Sequence, residues 1–140
     1  MSLIMQITSS DTPTTGTLYE LLGGETGLRR LVDAFYDRMD REASCAGIRG
    51  LHPDSLSGSR DKFFWFLCGW SGGPDLYLQR FGHPRLRARH LPYPIGESER
   101  DQWLSCMQGA MTEAEVPEPV RRRLTSSFFQ TADWMRNQPG

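Results

Sequence analysis

The chain holds no apolar run near the ~18 residues or more that a membrane-spanning helix requires, so no bilayer span is expected. Cysteine is scarce. Cys45, Cys68 and Cys106 are odd in number, widely separated and form no Cys-x-x-Cys, which argues against a disulfide framework and suits three free thiols in a reducing cytoplasm. Residues 1 to 15 have neither the basic start nor the long apolar centre of a secretion signal, which points the same way. A basic surplus is also missing. Sixteen basic against seventeen acidic residues give a formal charge of -1, which speaks against a broad nucleic-acid footprint. There is no glycine-rich dinucleotide fingerprint, so steady redox turnover would need an external reductase. No strand alternation of useful length and no internal repeat are present.

What remains is helical. A length of 140 residues favours one domain with a sizeable core. Residues 1–16, rich in Ser and Thr, read as a loose arm, and 17–140 as the folded domain. A helical turn over Thr17 to Leu22 stops at Gly23-Gly24. A longer helix over Thr26 to Arg41 follows, with Leu28, Leu31, Val32, Phe35 and Met39 at three- and four-residue steps. Tyr36 stands at the edge of that stripe. A short piece over Cys45 to Leu51 ends at His52-Pro53. Ser57 is the expected N-cap of a helix over Gly58 to Trp70, with Phe63, Phe66, Leu67 and Trp70 as one stripe. Gly72-Gly73-Pro74 stops it. Glu97 and Glu99 suit the start of a helix reaching Met111, in which Trp103, Met107, Ala110 and Met111 share a face. Pro117 and Pro119 start the last helix, with Val120, Leu124, Phe128, Thr131 and Met135 inward.

Two of the three histidines lie in one stretch, Phe81 to Ile95, with arginines at 85, 87 and 89. Pro84 is placed to open a short helix and Pro92 to close it, which sets His90 near its C-terminal end. His83 and His90 are seven residues apart, a rise of roughly 10 Å if helical. One zinc ion, with ligands about 2 Å away, does not suit that separation. A single histidine on iron in a flat macrocycle suits it better, and the arginines suggest negative groups on the ligand. A hydrogen-bonded histidine with no metal role fits the stretch too. Four tryptophans, seven phenylalanines and four tyrosines would serve either an ordinary aromatic core or the walls around a large flat ligand.

Gly82-His83-Pro84-Arg85-Leu86-Arg87-Ala88-Arg89-His90, followed by Tyr93-Pro94-Ile95, resembles the F-helix region of truncated haemoglobins of the second group. Phe35-Tyr36, Trp70-Ser71-Gly72-Gly73-Pro74 and Glu99-Arg100-Asp101-Gln102-Trp103-Leu104 match that family in order and spacing, over roughly Thr17 to Asn137. The resemblance implies an all-α, two-over-two helical sandwich around haem b, with His90 as the proximal iron ligand. It places Phe63 and Phe66 on the distal wall and Tyr93 and Ile95 at the proximal edge. Arg87 and Arg85 are expected to pair with haem propionates, since guanidinium matches carboxylate in a two-pronged geometry. Tyr36 and Trp103 are the implied donors to a distal ligand. Ser59 is a small residue where vertebrate globins carry the distal histidine, and it leaves a side entrance open.

His52 departs from the Phe or Tyr commoner at its position. It is expected to donate to the ligand, to approach the iron itself, or to be a half-buried corner residue. If it is a donor, ligand binding should follow pH around ~6.5 unless burial moves it.

The implied ligands are diatomic gases: dioxygen, nitric oxide and carbon monoxide. Two or three hydrogen bonds at about 1 kcal/mol each would slow oxygen escape roughly ten- to a hundred-fold. Slow release suits redox chemistry, such as nitric oxide or peroxide detoxification, better than carriage. The other class left open is a gas store or sensor. A monomer or a homodimer is expected, with no nucleic-acid or membrane partner.

Overall fold

The computed structural model describes residues 16–139. The expected arm therefore lies outside the described residues, except for Gly16. Among the described residues the chain is helical, with no strand. Helix α1, Leu18–Leu21, is fixed by a reciprocal cap: Glu20 N–H donates to Thr17 Oγ1 at 3.1 Å, and Thr17 N–H donates to Glu20 Oε1 at 3.1 Å. Gly23 at φ 93° and Gly24 at φ 67° then turn the chain. Helix α2, Gly24–Arg41, starts two residues before the expected Thr26, because the second glycine already belongs to it. It buries Leu28, Leu31, Val32, Phe35, Tyr36 and Met39, the face read from the sequence. Tyr36 is inside this face rather than at its edge.

A 3₁₀ turn at Ala43–Cys45 leads into helix α3, Ala46–Arg49. Helix α4 is Ser57–Trp70. Ser57 is its first helical residue and not its cap; Leu56 takes that place with no side-chain cap bond, while the Ser57 N–H donates to Ser55 Oγ at 3.4 Å. The fully buried face of α4 is Phe64, Leu67 and Cys68. Phe63, Phe66 and Trp70 are half-buried on the other side. The run Phe63 to Trp70 is apolar almost all round, so periodicity alone could not say which side meets the core.

Helix α5 is Leu76–Phe81 and helix α6 is Leu86–His90. Pro84 does not open α6. Arg85 caps it in the left-handed region at φ 48°, and its N–H donates to His83 Nδ1 at 3.0 Å. Helix α7, Glu97–Glu113, begins where the Gly96 N–H donates to Glu99 Oε1 at 2.8 Å. It runs two residues past the expected Met111. Helix α8 is Glu118–Trp134, with Pro119 in its first turn. Val120, Leu124 and Phe128 are buried along it, as is Met135 just beyond, while Thr131 is half-buried.

The long helices form two pairs, α2 with α4 and α7 with α8, and α2 lies across α7. This is the two-over-two sandwich. Its floor is a continuous apolar core in which Leu28, Val32, Ala110 and Leu124 lose all contact with water. Burying a leucine or valine contributes about 1.5–3 kcal/mol, so this floor is what holds the site's walls in register.

Candidate functional site

Helix α6 is short and carries His90 as its last residue. The His90 Nδ1 lies 2.6 Å from the Leu86 carbonyl, one turn back. A carbonyl only accepts, so Nδ1 carries the proton and Nε2 keeps its lone pair. That is the tautomer a metal ion takes, with the carbonyl bond fixing the ring. The segment after His90 is clamped by Asn137. Its Nδ2 donates to the Tyr93 carbonyl at 2.8 Å and to the His90 carbonyl at 3.3 Å, and its Oδ1 accepts from Ile95 N–H at 3.0 Å. Tyr93 is 45% exposed and Ile95 half-buried. His83 is exposed and serves only the turn before α6. Among the described residues no three His, Cys, Asp or Glu side chains gather as a metal site.

Around the Phe63 ring of α4, four expected residues meet. The Tyr36 ring stands edge-on to Phe63 at 6.0 Å and to His52 at 5.9 Å. Trp103 stands edge-on to Phe63 at 6.1 Å, and Phe35 backs the group at 5.0 Å from Tyr36 and 5.2 Å from Trp103. Phe128 of α8 supports Trp103 at 5.4 Å. Ser59 is half-buried on α4, one turn before Phe63. Burial pushes the Tyr36 phenol up, so it stays a proton donor at any ordinary pH. Neither its hydroxyl nor the Trp103 indole N–H has a hydrogen-bond partner among the described residues. Two donors without partners on an aromatic wall are an arrangement that asks for an acceptor.

His52 is half-buried. Its Nδ1 donates to the Ile48 carbonyl at 2.8 Å, so its Nε2 also bears a lone pair. Burial holds its pKa below the usual histidine range, opposed by the Ile48 bond and reinforced by the charges of Arg49 and His90. The ring is therefore neutral near pH 7, and in this tautomer it accepts rather than donates. The lowered pKa is the case in which burial moves the value, and the half-buried corner is one of the three places expected for this residue.

The rim is cationic. The Arg89 guanidinium lies 6.0 Å over the Tyr77 ring and the Lys62 ammonium 5.9 Å over Phe81. Tyr77 in turn stands edge-on to Phe66 at 6.4 Å, which joins the rim to the wall of α4. Arg87 points elsewhere. Its Nη1 donates to the Trp134 carbonyl at 3.0 Å and the Arg136 carbonyl at 3.4 Å. Arg85 is exposed at its left-handed cap. Reading the sequence did not single out Asn137, Lys62 or Tyr77, and it named Arg89 only together with Arg85 and Arg87. The signals were slight: a cation at the start of an apolar helix and an arginine beside His90.

The lone-pair nitrogen of His90, the aromatic wall of Tyr36, Phe63 and Trp103 and the cations Lys62 and Arg89 suit a flat, iron-bearing macrocycle with acidic substituents. They suit a haem site in a helical sandwich. The bacterial-like globin family model matches residues 17–137. A group 2 truncated hemoglobin of Bacillus subtilis, YjbI, is 42% identical over 120 residues, 86% of this chain and 88% of that protein. The solved cold-adapted truncated hemoglobin of Pseudoalteromonas haloplanktis superposes with a TM-score of 0.85 at 41% identity, covering 88% of this chain and 99% of that one. A group II 2-on-2 hemoglobin of Agrobacterium tumefaciens gives 0.84 at 42% identity, over 91% and 98%. The chain belongs to the bacterial-like globin family and is a haem- and oxygen-binding truncated globin of the two-on-two kind. Among the described residues no helix is long and apolar enough to cross a membrane.

Proposed function

We propose that this globin holds haem b on His90 and binds dioxygen for redox chemistry, nitric oxide or peroxide detoxification, rather than for carriage. The observation that carries this reading is the pair of partnerless donors, Tyr36 and Trp103, set around the Phe63 ring. The haem, when bound, supplies a reducible iron that takes up a diatomic gas. The protein does the rest. His90, neutral and oriented by Leu86, gives its Nε2 lone pair to the metal. Tyr36 and Trp103 donate to the negative end of the gas, in a setting drier than water where such bonds are stronger. Phe35 and Phe63 fix the donors and exclude water.

The propionates fall to Lys62 and Arg89, which have no carboxylate partner among the described residues, with Arg85 as a further cation of the same segment. Arg87 is a strut that ties α6 to the chain's end. Turnover uses an external reductase in the cytoplasm, and the protein acts as a monomer or homodimer.

The test is rapid mixing of the oxygenated protein with nitric oxide. Conversion to the ferric form and nitrate within milliseconds supports detoxification. A slow reaction, limited by oxygen release, supports a gas store or sensor instead.

A further inference from the structure

We propose that Arg60 is a positioning residue for gas binding: its guanidinium, held over the Tyr36 ring by Asp33 and Asp37, sets that ring and strengthens its hydroxyl as a donor. The inference rests on the haem reading above, in which Tyr36 donates to the gas, and adds a residue of α4 to it. Arg60 lies in the opening turn of α4 and reaches across to α2. Its Nη1 donates to Asp33 Oδ1 at 3.1 Å and to the Asp33 carbonyl at 3.3 Å, and its Nη2 donates to Asp37 Oδ1 at 2.7 Å. The fork thus closes on two carboxylates one helical turn apart, with Tyr36 between them in sequence. Its Cζ stands 5.9 Å over the centroid of the Tyr36 ring, inside the ~6 Å within which a cation is drawn to an aromatic face.

Three rings also pack on Tyr36: Phe35 at 5.0 Å, His52 at 5.9 Å and Phe63 at 6.0 Å. They are neutral and hold the phenol by contact alone. The guanidinium adds a positive charge beside it. A cation near a phenol favours negative charge on its oxygen, so it draws the O–H toward donation. Burial pushes the Tyr36 phenol up, Arg60 pulls against that, and Cys106 adds to the rise. A hydroxyl polarised in this way makes a stronger bond to a negative acceptor, most of all where water is scarce.

The clamp is well anchored. Arg60 is half-buried, and its N–H donates to the Leu56 carbonyl at 2.9 Å. A planar guanidinium that serves two carboxylates at once loses its freedom once for both bonds. A second tie joins the same two helices, Arg29 Nη1 to Asp61 Oδ1 at 3.0 Å, but the Arg29 guanidinium lies 4.1 Å over Phe64 and not over Tyr36. The two ties therefore share the task of holding α2 to α4 and differ in the ring they touch. Arg60 is the one of the two that acts on the donor.

The test uses the full haem-loaded chain in its oxygen and carbon monoxide forms. Arg60→Met should speed oxygen dissociation by about two- to three-fold, less than the roughly five-fold expected from losing the Tyr36 hydroxyl outright. Asp37→Asn should act in the same direction and more weakly. Arg60→Lys keeps the charge without the fork and should fall between Arg60→Met and wild type. The stretching frequency of bound carbon monoxide should rise in Arg60→Met, because a weaker donor at its oxygen leaves the carbon–oxygen bond stronger. In a Tyr36→Phe background the same change should move neither readout, and Arg29→Met should leave both at wild-type values.

An off-rate and a stretching frequency in Arg60→Met equal to wild type overturn the proposal and leave the haem reading standing. Equal shifts with and without the Tyr36 hydroxyl, or the same shifts in Arg29→Met, also overturn it, since Arg60 then only ties two helices together. Should Arg60→Met fail to fold, Asp37→Asn and Arg60→Lys decide by the same two readouts. A chain that takes up no haem overturns both readings.

Discussion

Asn137 holds the carbonyl of His90 from a position forty-seven residues further along the chain, through an Nδ2 donor at 3.3 Å that it shares with the Tyr93 carbonyl at 2.8 Å. The same side chain accepts from Ile95 N–H at 3.0 Å, and its own N–H donates to the Ile95 carbonyl at 2.8 Å. The five-residue helix α6 has no buried residue of its own to fix it. Its rigidity is borrowed from the chain's end, through Asn137 and the Arg87 strut.

Asn137→Ala should therefore loosen the proximal side while leaving the core intact. Its side chain makes three of these bonds, each contributing about 0.5–1.5 kcal/mol net. Haem loss to excess apomyoglobin should speed up by about ten-fold or more, with helical content unchanged by circular dichroism. An unaltered transfer rate would mean that α6 is held by something other than this clamp.

Tyr36 and Trp103 share one acceptor in this account. Tyr36→Phe and Trp103→Phe should each raise the oxygen off-rate by about five-fold, the worth of one net hydrogen bond. The double variant should depart from the product of the two, because the groups act on one ligand. Stopped-flow displacement of oxygen by carbon monoxide measures this. Equal off-rates in wild type and both single variants would remove the donor network.

Burial of His52 has a consequence for stability. Its folded pKa lies below its unfolded value near ~6.5, so the unfolded chain binds the proton first. The contribution is fully present above that unfolded value and is lost as pH falls through it toward the lowered folded pKa. Thermal melts of wild type and His52→Phe should converge, or change order, between pH 8 and pH 5. A constant difference in Tm across that range would show that His52 is solvated like any surface histidine.

Much of this was legible beforehand, for physical reasons. Helix α2 could be read because its apolar residues keep a strict helical stripe with polar residues opposite, and the structure buries that stripe. The place of His90 at the end of a short helix could be read because Pro92 follows close behind. Pro84 misled because the turn is set by a left-handed Arg85, a conformation that non-glycine residues seldom adopt and sequence seldom announces. Ser57 misled because a serine fits both a cap and a first turn. The inner side of α4 stayed ambiguous because Phe63 and Phe66 are as apolar as Phe64 and Leu67. Asn137 could not be found at all, since its partners are some forty residues away and nothing local marks it.

The thiols give a check on packing. Cys45, Cys68 and Cys106 are all buried, and burial followed by contact with Cys45 pushes the Cys106 thiol up to about 12. Thiolate is the reactive form, so all three should resist a disulfide reagent at pH 8 in the folded protein and react at once in denaturant. Rapid labelling of Cys106 in the folded state would show that α7 and the 3₁₀ turn are not closed against each other.

The central claim is that His90 carries the iron. It is tested most directly by the absorption spectrum of haem-reconstituted His90→Gly, recorded in the ferric and ferrous states with and without carbon monoxide, and again after adding imidazole. The account predicts loss of the wild-type Soret band and its carbon monoxide shift in the variant, with recovery when imidazole fills the cavity left by the ring. A His90→Gly protein whose spectra match wild type without imidazole would contradict it and pass the proximal role to another residue.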